Sequence, residues 1–438
     1  MKTVALYTLG CKVSQYETEA IAEGFESRGF RVVAFTEKAD VYVINTCTVT
    51  AESDRKSRQI IRRAHKTNPD AVILVTGCYS QVSPEEVLTL PGVLYVGGTD
   101  RKMKLPRAAE ELLLKKKQGR KPIPVCDSAP LLDPAFEKMT VKHAPRTRAY
   151  VKVEDGCECR CTYCAIPGAR GSVRSKAPSD VLSEVKALAA GGTREIVLTG
   201  IEIASYGADL DGFRLIDLLE LLDRECKDVR FRLGSITPEI MKEDFVARLA
   251  RLSSVVPHFH ISMQSGSDAV LRGMKRRYTS AMALAALARL RDSIRGVRFT
   301  TDMMTGFPGE GEKEFLETLA FTEKASFLDM HIFAYSKRKN TPAADFPDQV
   351  EERVKKERSA KLIALASRLR DENLDEMIAK GEPLSVLFET RDGEVMQGHS
   401  AEFAEVHVKT DEPLHGVIRN VLPREKKNGI LYGELLSD

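Results

Sequence analysis

The chain has 438 residues, a mass of 48.6 kDa, a formal net charge of +3 and a sequence pI near 8.3, long enough for two or three domains that each bury a core. Its nine cysteines are an odd number placed in loops after strand-like runs, which argues against a disulfide framework and for metal ligation in a reducing compartment. Met1–Thr8 is too short an apolar run for a secretory leader and no later run could span a bilayer, so the expectation is a cytoplasmic protein, not a membrane one, whose mild basicity permits a nucleic-acid partner.

The first hundred or so residues alternate strand and helix patterns, which predicts an α/β domain over residues 1–114 with an open parallel sheet and helices on both faces. Strands are expected at Thr3–Leu9, Arg31–Phe35, Val41–Thr46, Ala71–Thr76 and Val93–Val96. Ser14-Gln15-Tyr16-Glu17 reads as a capping box for the first helix, and Gly29 follows that helix. Cys11, Cys47 and Cys78 follow the first, third and fourth strands, so they should gather at the carboxyl ends of the sheet, where such sheets bind ligands. Three thiolates converging there would hold an iron–sulfur cluster with an open iron; the other reading is that they are small buried hydrophobes.

After Cys47, the stretch Glu52–Lys66 is helical in pattern and places Arg55, Arg58, Arg62 and Lys66 on one face, with Ser57, Ile60, Ile61 and Ala64 opposite. That face is either an ordinary solvated one or a holder of nucleic-acid phosphates near the cysteines. Residues 115–144, with Lys115-Lys116-Lys117, Gly119, Pro122, Pro124, Pro130 and Pro134, read as a linker, and Cys126 inside it as a bystander.

Next comes Cys157-x-x-x-Cys161-x-x-Cys164, directly after a strand-like run at Ala149–Glu154. The spacing suits a 4Fe–4S cluster bound by three thiolates, with the fourth iron open to a substrate or cofactor. Zinc is the competing reading, since Cys159 lies inside the motif as a fourth candidate ligand. Further strands at Glu195–Thr199, Val229–Gly234, His258–Met263, Val297–Met303 and Leu328–Tyr335 alternate with helices, which predicts an open (β/α)6 partial barrel over residues 145–378. Gly200, Ser235 and Gln264, at the carboxyl ends of its strands, are candidate cofactor contacts, and Lys275, Arg276 and Arg277 form a second basic patch. Cys226 reads as a packing residue of the helix Leu215–Lys227. A charged helix at Gln349–Lys380 leads to short runs at Leu384–Glu389, Glu402–Lys409, Gly416–Val421 and Ile430–Glu434, expected to form a small antiparallel β-barrel over residues 379–438, a shape that often binds RNA.

The stretch Glu154–Pro167, with Tyr163 just before the last cysteine, resembles the radical S-adenosylmethionine superfamily, whose aromatic residue there packs near the adenine. Nearly the whole chain resembles one family within it, the methylthiotransferases. The residues that carry this are Thr8-Leu9-Gly10-Cys11-Lys12-Val13, Ile44–Thr50, Thr76-Gly77-Cys78, Leu198-Thr199-Gly200, Gln264–Asp268 and Gly306–Glu310. The resemblance implies two 4Fe–4S clusters, at Cys157/Cys161/Cys164 and Cys11/Cys47/Cys78, together with S-adenosylmethionine, a TRAM barrel at the C-terminus and an electron donor such as a flavodoxin or ferredoxin. In the family scheme the first cluster cleaves S-adenosylmethionine to give a 5′-deoxyadenosyl radical that takes the substrate hydrogen, while a second S-adenosylmethionine supplies the methyl of a sulfur held at the second cluster.

Gly10-Cys11-Lys12 and Asn45–Thr50 look most like the branch that acts on N6-threonylcarbamoyladenosine at position 37 of tRNA, in the anticodon loop. Sister branches act on isopentenyladenosine in tRNA or on a ribosomal-protein aspartate. Ser14, Cys159 and Ile201-Glu202-Ile203-Ala204 depart from the branch pattern. A nonenzymatic iron–sulfur or zinc protein that binds RNA is the reading from another class.

Overall fold

The computed structural model describes residues 1–128, 131 and 135–437; Pro130 and Pro134 of the predicted linker, and Asp438, lie outside the described residues. The chain divides into two compact units, Met1–Lys142 with Lys152–Ala177 and Ser336–Ala344, and His143–Val151 with Pro178–Tyr335 and Asp345–Asp438.

The first unit is built on a six-stranded parallel sheet in the order Phe30–Val33, Lys2–Thr8, Val41–Thr46, Val72–Gly77, Val93–Gly97, Val125–Asp127. The central strands are buried on both faces, which is why they read as continuous apolar runs. Tyr42 and Ile44 pack with Ile61 and Ala64 of the helix Ala51–Thr67, whereas Val41 and Val43 pack with Ile21 and Phe25 of the helix Lys12–Glu26 and with Leu105. Burial of alternate residues thus places helices on both faces, as an open parallel sheet requires. The helix Leu105–Lys117 enters the predicted linker, and Val125–Asp127, carrying the exposed Cys126, adds an edge strand there.

The capping box is not formed. The first helix begins at Lys12 with Cys11 at its N-cap, and Ser14 and Glu17 lie inside it, both buried. Buried cations draw the Glu17 carboxylate inward, so it is not available to the helix end. The turn after the helix closes on Gly29 at φ +77°, a left-handed conformation that glycine adopts freely.

Arg148–Lys152, which belongs to the second unit up to Val151, forms one sheet with Glu195–Thr199 and Arg230–Leu233, and His258–Gln264, Arg298–Thr305 and Asp329–Ala334 form another. Parallel bridges Phe231 to Val255 and Ile236 to Ile261 join them, giving the six-stranded open barrel in sequential order. The helix Glu352–Lys380 ends at Gly381 and leads into a closed barrel of five strands, Leu384–Asp392, Val395–Ser400, Glu405–Lys409, Ile430–Leu435 and Ile418–Lys427, around Val386, Phe388, Val406 and Leu431. Two features differ from expectation. Val395–Ser400 is an additional strand, and Glu405–Lys409 pairs with Ile430–Leu435 in parallel, so the barrel is not wholly antiparallel.

Phe403, at φ +76°, plugs this small barrel against the larger one. It stacks on His258 at 4.7 Å and His399 at 5.1 Å, with the Arg232 guanidinium 4.8 Å from its ring. Around it, Glu195 takes Arg148 at 2.6 Å, Arg230 at 2.6 Å and Arg232 at 3.1 Å, while Arg230 and Arg232 also donate to the carbonyls of Ser385 and Ala401. Burial pushes the Glu195 carboxyl up, but Arg232, Arg230 and Arg148 overcome it and hold the group at about 2.

Candidate functional site: two cysteine groups on one unit

Parallel pairing sets Thr8 beside Asn45 and Thr46 beside Gly77, so the loops carrying Cys11, Cys47 and Cys78 leave the sheet at the same end. Two glycines let these loops close in. A Cβ at Gly10 (φ +124°) would meet Ser14 Oγ at 3.0 Å and Cys47 Cβ at 3.3 Å, and one at Gly77 (φ +107°) would lie 2.4 Å from the Thr46 carbonyl oxygen. Cys47 and Cys78 are buried and Cys11 is exposed. Burial raises the Cys47 thiol to about 11; the Val49 N–H opposes this, and Cys78 and Cys11 add to it. Cys78 is likewise raised by burial, against the pull of Arg170 and Lys102.

The second group lies on Lys152–Ala177, in the same unit. Gly156 takes φ +90°, where a Cβ would lie 1.9 Å from the Ser172 carbonyl oxygen, and Cys157 N–H donates to the Gly171 carbonyl at 3.0 Å. Arg160 is left-handed at φ +49°, and Cys164 N–H donates to the Cys161 carbonyl at 3.1 Å, which folds the loop back on itself. Cys161 is buried, while Cys157, Cys159, Tyr163 and Cys164 are half-buried.

Segment Ser336–Ala344 braces both groups. Ala343 N–H donates to the Thr162 carbonyl at 2.9 Å, and Arg338 Nη2 donates to Thr48 Oγ1 at 2.6 Å and to Asp54 Oδ2 at 2.7 Å.

Beneath the cysteines is a buried charge network that sequence reasoning missed. Arg170, fully buried, donates through Nε to Cys78 Sγ at 3.4 Å and through Nη1 to Glu17 at 2.6 Å and Asp155 at 3.2 Å. Lys152 pairs with Glu17 at 3.0 Å and with Asp155 at 2.7 Å, Lys102 pairs with Glu17, and Arg174 stands 3.7 Å from Asp155. Burial opposes ionisation, yet Arg170 and the lysines hold Glu17 well below the usual carboxylate range and Asp155 at about 2. The one signal in the sequence was Arg170 standing six residues after Cys164.

Among the described residues, no three His, Cys, Asp or Glu side chains are grouped to hold a single metal ion. A cubane cluster makes no such demand, because it binds each thiolate to a different iron. The surroundings suit thiolates bound to iron: N–H groups of Val49, Cys159 and Arg170 point at the sulfurs of Cys47, Cys157 and Cys78 at 3.5, 3.4 and 3.4 Å. The donor sets and their hydrogen bonds fit two clusters.

In the second unit, Gly200 and Ser235 follow adjacent barrel strands and Gln264 ends the next, in a left-handed conformation at φ +69° that side chains adopt rarely. On the helix Ala51–Thr67, Ser57, Ile61 and Ala64 are buried, and Arg62 and Lys66 are exposed. Arg55 is paired with Glu52 at 2.5 Å, and Arg58 with Glu86 at 3.1 Å and with the Tyr79 hydroxyl at 3.0 Å, so both have partners within the chain.

Residues 3–97 match the family described as "Uncharacterized protein family UPF0004" and residues 151–322 match the Radical SAM superfamily. The Bacillus subtilis (strain 168) threonylcarbamoyladenosine tRNA methylthiotransferase MtaB is 40% identical, over 99% of this chain and 96% of the relative. Its Thermotoga maritima namesake is 39% identical over 82% of the chain and 80% of the relative. A Thermoanaerobacter sp. (strain X514) tRNA-2-methylthio-N(6)-dimethylallyladenosine synthase is 33% identical over 98% of the chain and 92% of the relative. Among solved structures, the radical S-adenosylmethionine methyltransferase TsrM from Kitasatospora setae shares the fold, with TM-score 0.58 and 16% identity over 78% of this chain and 77% of that one.

Proposed function

The chain belongs to the radical S-adenosylmethionine tRNA methylthiotransferases, and from that membership we propose that it converts N6-threonylcarbamoyladenosine at position 37 of tRNA to its 2-methylthio derivative. The observation that carries the reading is the pair of cysteine groups, each on glycine-closed loops of one unit, in a chain aligned with the Bacillus subtilis enzyme from end to end.

Cys157, Cys161 and Cys164 would hold one 4Fe–4S cluster, and Cys11, Cys47 and Cys78 would hold the other. Bound there, the clusters and S-adenosylmethionine supply the one-electron and sulfur chemistry that opening an unactivated C–H bond demands and that acid–base side chains cannot provide at neutral pH. The chain's own residues hold the sulfurs and neutralise their charge. By the family resemblance Tyr163 would pack near the adenine of S-adenosylmethionine, and Gly200, Ser235 and Gln264 are candidate contacts from their strand-end positions alone. Exposed Arg62 and Lys66 would take tRNA phosphates, with Arg55 and Arg58 joining where their internal pairs exchange, and the small barrel adds RNA surface.

In this reading residues 1–114 carry the second cluster, 145–378 the radical chemistry and 379–438 the TRAM barrel, with 115–144 connecting. The protein works in the cytoplasm with an electron donor such as a flavodoxin or ferredoxin; among the described residues no helix is long and apolar enough to cross a membrane. Deleting the gene and analysing tRNA nucleosides by mass spectrometry tests the reading. Loss of 2-methylthio-N6-threonylcarbamoyladenosine with accumulation of its precursor is expected, and loss of only the isopentenyl analogue would contradict it.

A further inference from the structure

Arg170 links the two cysteine groups directly. It closes the short helix Ile166–Arg170 that follows Cys164, and the next residue, Gly171, takes the backbone N–H of Cys157 at 3.0 Å. From this position on the second loop its Nε reaches across to Cys78 Sγ at 3.4 Å. The side chain has no exposed surface, and its Nη1 and Nη2 are clamped by Glu17 at 2.6 and 3.3 Å. A guanidinium held this way cannot swing away, so the N–H aimed at sulfur is a fixed feature of the site.

The surrounding charge points the same way. Arg170, Lys152, Lys102 and Arg174 are all buried, against the carboxylates of Glu17 and Asp155. Buried charge is costly unless it is balanced, and the Cys78 sulfur, 3.4 Å from Arg170 Nε, is the acceptor that this face of the guanidinium meets. Hydrogen bonds to cluster sulfurs and positive charge nearby withdraw electron density and favour the reduced state.

We infer that Arg170 is a positioning residue for the second cluster that, through its hydrogen bond to the Cys78 sulfur, sets the reduction potential of that cluster. The inference rests on the assignment of Cys11, Cys47 and Cys78 to a cluster.

The test uses the full chain with Cys157, Cys161 and Cys164 changed to Ala, so that only the second cluster remains, followed by potentiometric titration with electron paramagnetic resonance. Arg170→Gln removes the charge, yet leaves Glu17 with Lys102 and Lys152, and Asp155 with Lys152 and the Gly156 N–H, so the carboxylates stay paired. Its midpoint should move negative. Arg170→Lys keeps the charge without the guanidinium fork and should move less far in the same direction.

An unchanged midpoint in an iron-loaded Arg170→Gln protein overturns the inference. If that variant loses its iron, a negative shift in Arg170→Lys supports the inference and an unshifted one overturns it; loss of iron from both variants makes Arg170 an assembly residue and overturns it too. A parent protein that binds no iron would instead overturn the cluster assignment beneath it.

Discussion

Arg338 reaches Thr48, the residue after Cys47, with a 2.6 Å hydrogen bond from its guanidinium to the hydroxyl, and shares Asp54 with it. A residue nearly three hundred positions downstream thereby fixes the loop that carries Cys47, and Ser336, two residues before it, accepts the N–H of Ala51. Arg338→Ala would leave Asp54 largely buried without its cation and should lower stability by about 2–3 kcal/mol. Iron bound by a variant lacking the radical-loop cysteines should fall as well. Chemical unfolding and iron assay check both, and a loss of less than about 0.5 kcal/mol with full iron would contradict the bracing role.

Cys159 sits between Cys157 and Cys161, and it is the backbone N–H of Cys159 that donates to the Cys157 sulfur. Serine keeps that N–H. Cys159→Ser should therefore retain about eight irons per chain and near-parental formation of 5′-deoxyadenosine. Loss of about half the iron would place the Cys159 thiol among the ligands.

Phe403 holds the small barrel through its stack with His258 and His399 and the overlying Arg232 guanidinium. Phe403→Ala should cost about 2 kcal/mol, less than for a fully enclosed ring because Phe403 is only half-buried. Limited proteolysis should then cut ahead of Leu384 faster than in the parent. Equal cleavage rates would show that the Glu195 ion cluster suffices on its own.

Glu202 lies in the stretch that departs from the branch pattern, and burial lifts its carboxyl to about 7 against the pull of Arg276, with Glu239 reinforcing the rise. The folded state therefore keeps a proton that the unfolded chain releases near 4.5, so stability should fall as pH rises from about 4.5 to about 7 and change little beyond. Glu202→Gln removes that dependence. Across the window the variant should gain up to about 3 kcal/mol on the parent, read by urea unfolding at either end. Parallel pH profiles would mean that the carboxyl ionises normally.

Much of the fold was legible because burial on both faces leaves unmistakable runs such as Val41–Thr46, whose limits the structure reproduces. Local rules failed where tertiary charge or close approach took over. Ser14-Gln15-Tyr16-Glu17 has the letters of a capping box, but Glu17 answers to residues 85 to 153 positions away. Val395–Ser400 escaped notice because Gly398 interrupts it, yet a Cβ there would lie 2.2 Å from the Leu387 carbonyl oxygen, so glycine is what lets the strands pair. Val125–Asp127 is short and follows Pro122 and Pro124, the marks of a linker. The cysteine positions were readable from the spacing of strands and loops; the Arg170 network was not, since no short-range pattern joins residues 17, 102, 152, 155 and 170.

The central claim is the reaction, and it is tested most directly with the reconstituted protein, S-adenosylmethionine, a reductant, a sulfide source and an equimolar mixture of tRNAs bearing N6-threonylcarbamoyladenosine or N6-isopentenyladenosine. Mass spectrometry of the digested nucleosides should show the 2-methylthio group on the threonylcarbamoyl nucleoside. That product should vanish when Cys11, Cys47 and Cys78 are changed to Ala, while S-adenosylmethionine cleavage persists. Methylthiolation of the isopentenyl nucleoside alone, or of neither by a protein carrying both clusters, would contradict the account.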